Sequence, residues 1–150
     1  MIGYLVKGDT IPDSDNIARF CKPTTAPNGV ITAMAFMLRE NDEGGLSVNW
    51  LEFLNCSNRD QEIREIQKIY SESLSVSKNA RIAILNVGEI RYIVRSETHD
   101  HRNIELLHEP IPDGDQSHSE IHNLEQDNEF IAELILEVLR DNDNHPARSM

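Results

Sequence analysis

Long apolar runs are missing from this sequence. No run of roughly 18 consecutive apolar residues occurs among its 150 residues, so the sequence predicts no membrane-spanning helix. The apolar run at residues 1–6 is too short for a signal peptide and has no basic residues before it, which predicts a cytoplasmic protein. The only two cysteines, Cys21 and Cys56, are therefore expected to be free thiols, because a reducing compartment disfavours a disulfide.

The standard nucleotide-binding and catalytic motifs are also missing. The sequence contains no GxxxxGK[ST], GxGxxG, HExxH, CxxC or GxSxG pattern. Without a phosphate-binding loop we predict no nucleotide cofactor, and without a recognisable catalytic set we expect a protein that has no catalytic activity.

Basic residues are scarce in the second part of the chain. Residues 1–96 carry 12 acids and 11 bases, whereas residues 97–150 carry 14 acids and three bases and contain all six histidines. The net charge of the whole chain is −12. Nucleic acids and membrane surfaces attract basic proteins, so this charge argues against both as partners and favours a protein partner with a basic surface.

Length and hydrophobic periodicity predict a single α+β domain over residues 1–150, with a mainly antiparallel sheet of about five strands and two principal helices packed on it. A mixed sheet is the alternative, because a strand–helix–strand order over residues 46–87 permits a parallel pair. The first helix is expected over residues 60–73, and the second begins at Asp127–Asn128. Both have apolar side chains at helical spacing and a polar residue suited to capping.

The most apolar stretch, residues 79–94, predicts the central strands. Residues 81–87 and 90–94 fit two buried strands, or one long strand with a bulge at Gly88. Residues 30–38 and 46–54 are expected to form a β-hairpin, with Leu46, Val48 and Trp50 on one face of its second strand. The other expected elements are an edge strand at 1–6, a helical turn at 17–20, a last short strand at 104–108, a short helix at 117–122 and a frayed tail at 142–150.

The histidines suggest a metal site. His118 and His122 are four residues apart, so a helix would place both imidazoles on one face. His108 at a strand end and Asp113 or Asp115 on the following loop could complete a mixed nitrogen and oxygen ligand set. Such ligands suit zinc or another borderline divalent metal, and the resulting alternative is a small metal-dependent hydrolase or metal-binding domain. The same histidines, surrounded by carboxylates, also suit a pH switch.

The final helix suggests a partner-binding surface. Glu129, Glu133 and Glu137 recur at a spacing of four and form one acidic stripe, opposite an apolar face. The sequence therefore predicts a small acidic interaction or accessory protein, which presents its C-terminal segment, residues 97–141, to a basic partner surface.

Residues 16–54 offer three weaker candidates. Ser47 and Asn49 share a strand face and could line a polar pocket, although a half-exposed sheet face is the simpler interpretation. Cys21 lies close to Arg19 and could be an activated nucleophile or simply a buried thiol. Arg19, Ser47 and Glu52 resemble the residue types used by ADP-ribosyl-transferring enzymes, which implies a transferase if Arg19 and Glu52 share a cleft.

Overall fold

The computed structural model describes residues 8–42 and 44–149, so the edge strand predicted at residues 1–6 lies outside the described residues. Within the described residues, one seven-stranded sheet and three α-helices form an α+β fold, and every strand pair is antiparallel. The α+β class and the antiparallel sheet are confirmed, whereas the prediction of about five strands and two principal helices was too low.

The strands occur in the spatial order β1-β5-β6-β3-β2-β4-β7. Their bounds are β1 Asp9–Thr10, β2 Asn16–Cys21, β3 Gly45–Trp50, β4 Arg81–Asn86, β5 Glu105–His108, β6 His118–His122 and β7 Asn144–Pro146. The helices are α1 Arg59–Ser73, α2 Val87–Glu97 and α3 Glu129–Val138. No helix in the described part of the chain is both long and apolar enough to cross a membrane.

Helices α1 and α3 lie where the sequence predicts them. Asn58 caps α1 by accepting a hydrogen bond from the backbone N–H of Gln61, whose side chain accepts one from the N–H of Ser57. This reciprocal pair satisfies two backbone donors that have no partner inside the helix. Asn128 caps α3 by accepting a hydrogen bond from the backbone N–H of Ile131. Capping and periodicity agree in both helices, and this agreement explains why they were predictable.

The second half of the apolar stretch 79–94 is a helix, so the predicted strand or bulge after Gly88 was wrong. Strand β4 ends at Asn86, whose side chain then caps α2 by accepting the N–H of Glu89 at 2.8 Å. Val87, Ile90 and Val94 are buried at helical spacing. Gly88 is needed for close packing, since a Cβ there would lie 2.9 Å from the carbonyl oxygen of Asp13.

Residues 30–38 do not form a strand, and the predicted hairpin over residues 30–54 was wrong. This segment contains a short 3₁₀ helix, Ala33–Phe36, that covers the sheet with Ala35 and Phe36 buried. Its apolar composition therefore reflects burial under irregular backbone. The second strand of the predicted hairpin is present over Gly45–Trp50, and a 3₁₀ helix follows it at Glu52–Leu54.

Two further predictions were wrong because short strands carry weak signals. The expected helical turn at residues 17–20 is part of β2, which pairs with both β3 and β4 at the centre of the sheet. The expected frayed tail contains β7, which pairs with β4, and Ala147 beyond it is buried. The polar tail residues gain their order from this pairing, which periodicity does not reveal.

The sheet buries both faces, but unequally. Helices α2 and α3 and the 3₁₀ helix Ala33–Phe36 cover one face with the larger core, which includes Ile17, Leu46, Val48 and Ile121. Helix α1 covers the other face only over β2 and β4, where Ala18, Ile82 and Ile84 pack against Ile66 and Tyr70. We call this second side the α1 face. Its continuation over β3 and β6 carries polar side chains.

Candidate functional site

Residues 118–122 form strand β6, so the helix predicted at residues 117–122 was wrong. Side chains alternate along a strand, and Ser119 and Ile121 are buried in the larger core. His118 and His122 therefore do share a face, as expected, but through the period of two of a strand. They point to the α1 face. The Cα partner of His118 is Asn49, and the Cα partner of Asn49 on β2 is Ala18, whose side chain lies on the α1 face.

His108, predicted as a metal ligand, lies on the opposite face of the sheet. It pairs with buried Ser119 and is itself buried. Its Nε2 donates a hydrogen bond to the carbonyl oxygen of Gln116 at 2.8 Å, and its ring packs against Trp50 and Phe53 with centroid distances of 5.1 and 4.8 Å. His108 is thus a packed core histidine, separated from His118 and His122 by the sheet.

The two predicted aspartate ligands lie in the loop between β5 and β6. Asp115 accepts hydrogen bonds from the backbone N–H and the hydroxyl of Ser117 and from the side-chain amide of Asn49. Asp113 is exposed, with a left-handed backbone at φ 61°. The structure therefore does not assemble His108, Asp113, Asp115, His118 and His122 into one ligand set.

A different group of potential ligands gathers around His122. Its Nε2 lies 2.9 Å from a carboxylate oxygen of Glu109 and 3.1 Å from one of Glu120, and all three side chains are half-buried. One ligand atom from each residue lies within 4.8 Å of the other two. We call Glu109, Glu120 and His122 the carboxylate–histidine cluster.

His118 positions one member of this cluster. The backbone N–H of Glu109 donates to the carbonyl oxygen of His118 at 2.9 Å, and His118 Nδ1 donates to the carbonyl oxygen of Glu109 at 2.9 Å. These two bonds extend the β5–β6 pairing beyond His108. The other ring nitrogen of His118 lies 3.2 Å from the hydroxyl of Ser47.

A cleft of about 1090 Å³ opens beside α1 on the same side of the molecule. Ser47 and Asn49, which the sequence suggested for a polar pocket, both line it, together with Tyr70, Asp115 and His118. Buried Asn49 forms its floor by accepting a hydrogen bond from the hydroxyl of Tyr70 at 2.9 Å. Ser47 is exposed and Asn49 is buried, so these two positions form part of a half-exposed sheet face that also lines the cleft.

Arg19 also lines this cleft. The β2–β3 pairing register covers only Ile17–Trp50 and Ala18–Asn49. Beyond it the guanidinium links β2 to the 3₁₀ helix Ala33–Phe36 and to β3, by donating to the carbonyl oxygens of Ala35 and Ser47, each at 2.8 Å. Burial lowers the pKa of Arg19 from its ordinary value, and the two carbonyl acceptors provide the polar contacts that a buried cation requires.

Neither of the weaker catalytic hypotheses finds support in this geometry. Burial raises the pKa of the Cys21 thiol to about 12, so the thiolate needed for nucleophilic attack is scarce near neutral pH. Glu52 accepts hydrogen bonds from the backbone and side-chain amides of Asn16 and does not line the cleft that Arg19 lines. Arg19 and Glu52 therefore do not share the cleft that the transferase hypothesis requires.

The acidic stripe, Glu129, Glu133 and Glu137, is exposed along α3. The opposite face of this helix is buried, with Ile131, Leu134 and Ile135 in the larger core. The apolar face of α3 is therefore unavailable to a partner, and only its outward surface can dock.

A groove of about 830 Å³ lies between α2 and α3. Glu89, Glu97 and Glu137 line it, and Arg140 closes one side through an ion pair with Glu89 at 2.9 Å. Tyr92, whose surface is 68% exposed, also lines this groove. The groove thus combines carboxylates with one large exposed aromatic ring.

Comparison of the chain with protein-family models, with curated proteins and with solved structures finds no match. The assignment of a function therefore depends on the chemistry of the described residues.

Proposed function

We propose that this protein is a small acidic interaction protein, which binds a basic surface of a partner protein through the acidic stripe on α3 and the neighbouring α2–α3 groove. The observation that carries the proposal is the arrangement of Glu129, Glu133 and Glu137 along the exposed surface of a helix whose other face is buried. A carboxylate stripe held on a packed helix is a fixed target for lysine and arginine side chains.

The charge of this region supports a basic partner. Residues 97–150 carry a net charge of −11, from 14 acids and three bases, and one of those bases, Arg140, is already paired with Glu89. Such a surface attracts basic proteins over a distance comparable to the Debye length, which is about 10 Å at 0.1 M salt.

The groove supports a partner segment that is amphipathic as well as basic. Tyr92 lines the groove from α2, and Phe130, which is 53% exposed, lies outside the groove at the start of α3. Exposed aromatic side chains are frequent anchors of protein–protein contacts, since they bury a large area with little loss of conformational entropy. A basic amphipathic helix would supply apolar side chains for these rings and cations for the stripe.

The test uses a fluorescent helical peptide of lysine and leucine as the probe, with a peptide of glutamate and leucine as the negative reference. Fluorescence anisotropy should show binding of the basic peptide only, with an affinity that falls at least about tenfold between about 50 and about 500 mM salt. Replacing Glu129, Glu133 and Glu137 by glutamine should weaken binding about threefold or more, as expected for three surface charges worth about 0.2–1 kcal/mol each.

A matched control variant removes the same number of negative charges from another part of the surface. Glu40, Glu65 and Glu72 are exposed and lie outside α2 and α3, so the triple glutamine variant at these positions should bind the peptide nearly as tightly as the wild type. Equal weakening in both triple variants would show that only the total charge matters. Salt-insensitive binding would also contradict the proposal.

The expected cytoplasmic location and the expected lack of catalytic activity belong to this proposal. A protein that acts by docking needs neither a cofactor nor a reactive group, and buried Cys21 has the raised pKa of an inert thiol. Location is testable by fractionation of cells that produce the protein.

A further inference from the structure

We infer that Glu109, Glu120 and His122 bind one divalent first-row transition metal ion such as Zn²⁺. This site is separate from the proposed partner-binding surface, because the cluster lies on the α1 face and α3 covers the other face of the sheet. It also differs from the set suggested by the sequence, with which it shares only His122.

The donor set fits such an ion. One imidazole nitrogen and two carboxylate oxygens are ligands that Zn²⁺ and its neighbours accept, whereas Ca²⁺ and Mg²⁺ prefer oxygen ligands alone. Three protein ligands leave a fourth position for water, as in zinc sites that are not purely structural. The two glutamates would supply the negative charge that offsets the ion.

The distances require only small adjustments. A tetrahedral ion bound at about 2.0–2.1 Å holds its ligand atoms about 3.3 Å apart. His122 Nε2 is already 2.9 Å from Glu109 Oε2 and 3.1 Å from Glu120 Oε1, and the three ligand atoms lie within 4.8 Å of one another. The two oxygens lie at the ends of flexible glutamate side chains, so side-chain rotation is the adjustment that tetrahedral ligation would require.

The hydrogen-bonding capacity of His122 also favours an ion. Its Nε2 carries at most one hydrogen, yet two carboxylates converge on this single atom, that of Glu120 from the same strand and that of Glu109 from the loop after β5. A divalent ion would contact all three ligands simultaneously and would reduce the repulsion between the two carboxylates.

The backbone of β3 provides the space in which these side chains meet. Gly45 is the Cα partner of His122, and a Cβ on Gly45 would overlap the Glu120 carboxylate and lie 3.0 Å from Cε1 of His122. A larger residue at this position would force the Glu120 carboxylate to move away from His122. The pairing of Glu109 with His118 then holds the third ligand in place.

The inference is tested with Zn²⁺ alone. Protein freed of metal by a chelator and dialysed against Zn²⁺ should retain about one zinc per chain in elemental analysis, and zinc at about one hundred times its Kd should raise Tm by about 5 °C or more. The variants Glu120→Gln and His122→Gln should lose affinity by about a hundredfold or more in isothermal titration calorimetry. The control Glu133→Gln, on the far side of the sheet, should bind zinc like the wild type.

A third variant keeps all three ligands. Gly45→Ala should leave the fold intact, because the atoms that its Cβ meets lie at the ends of the Glu120 and His122 side chains, but should weaken zinc binding about tenfold or more by moving the Glu120 carboxylate. Circular dichroism melts of each variant verify folding. Retention of zinc by wild type and His122→Gln alike, or undiminished affinity in Gly45→Ala, would overturn the inference.

Discussion

The hydrogen-bonded floor of the cleft permits a quantitative prediction. Asn49 is buried at the centre of the sheet, and its side chain links three separate elements. Its amide nitrogen donates to the carboxylate of Asp115 and to the hydroxyl of Ser117, and its amide oxygen accepts the hydroxyl hydrogen of Tyr70 on α1. Replacing Asn49 by alanine removes all three bonds.

The magnitude follows from the character of these bonds. A hydrogen bond to a charged group contributes about 1.5–3 kcal/mol and a neutral one about 0.5–1.5 kcal/mol, so Asn49→Ala should lower the free energy of unfolding by about 3–5 kcal/mol. For a chain of this length that corresponds to a fall in Tm of roughly 6–20 °C. Tyr70→Phe, which removes one neutral bond, should cost only about 1 kcal/mol.

The double variant Asn49→Ala/Tyr70→Phe separates two contributions. One is the hydrogen bond between the two side chains, and the other is the cost of leaving the Tyr70 hydroxyl buried without that bond. In Asn49→Ala the buried hydroxyl of Tyr70 loses its 2.9 Å partner, whereas in the double variant no hydroxyl is present. The double variant should therefore be about 1 kcal/mol more stable than the sum of the single effects predicts. Urea unfolding followed by circular dichroism measures all three values. A loss below about 1 kcal/mol for Asn49→Ala, or strictly additive effects, would refute this reasoning.

Three further predictions concern the tail, pH and thiol reactivity. Asn144→Ala should lower the free energy of unfolding by about 1–3 kcal/mol in urea titrations, since its side chain bonds Arg81 at 2.7 Å and the carbonyl of Gly29 at 2.8 Å; no change would mean a frayed tail. Burial lowers the pKa of His145 below its ordinary 6.5, so the unfolded chain binds this proton more readily and stability should fall as pH drops below about 6.5. His145→Phe should flatten that dependence in thermal melts at several pH values, and an unchanged slope would exclude His145 as its source. Cys21 should resist iodoacetamide at about pH 8 until the chain is unfolded, as mass spectrometry of the labelled peptide will report; rapid labelling of the native protein would contradict its burial.

Helices with matched local signals could be predicted from the sequence. In α1 and α3, an asparagine cap and an amphipathic repeat indicate the same bounds, and both helices lie where expected. Helix α2 has a cap of the same kind at Asn86, but it follows β4 without a break and continues its apolar composition. An apolar segment without a clear polar face is compatible with either a buried strand or a buried helix, so hydrophobic periodicity alone could not distinguish the two.

The short strands required information from distant parts of the chain. Strand β2 has six residues and β7 has three, and each is ordered by pairing with β4, more than 50 residues away from either. The polar residues of β6 suited a capped helix equally well, because a spacing of four satisfies both structures. The local sequence of a strand does not reveal which distant strand it pairs with.

The candidate sites were predictable to different extents. Predicting the acidic stripe required only a correct prediction of helix α3, because the exposure of the stripe follows from the burial of the opposite helix face. The carboxylate–histidine cluster depends on the hairpin of β5 and β6, which brings Glu109 to His122 across 13 residues. In a strand, residues two apart lie on the same face, so a strand over residues 117–122 places Glu120 beside His122. The helix that was predicted for these residues hid this signal.

The central claim, that α3 and the α2–α3 groove bind a basic partner segment, is tested most directly by nuclear magnetic resonance. Titrating the ¹⁵N-labelled protein with the lysine–leucine peptide should shift amide signals mainly within Val87–Glu97 and Glu129–Val138, and these shifts should diminish at high salt. Shifts confined to α1 or to the open cleft, or no shifts at low salt, would contradict the account.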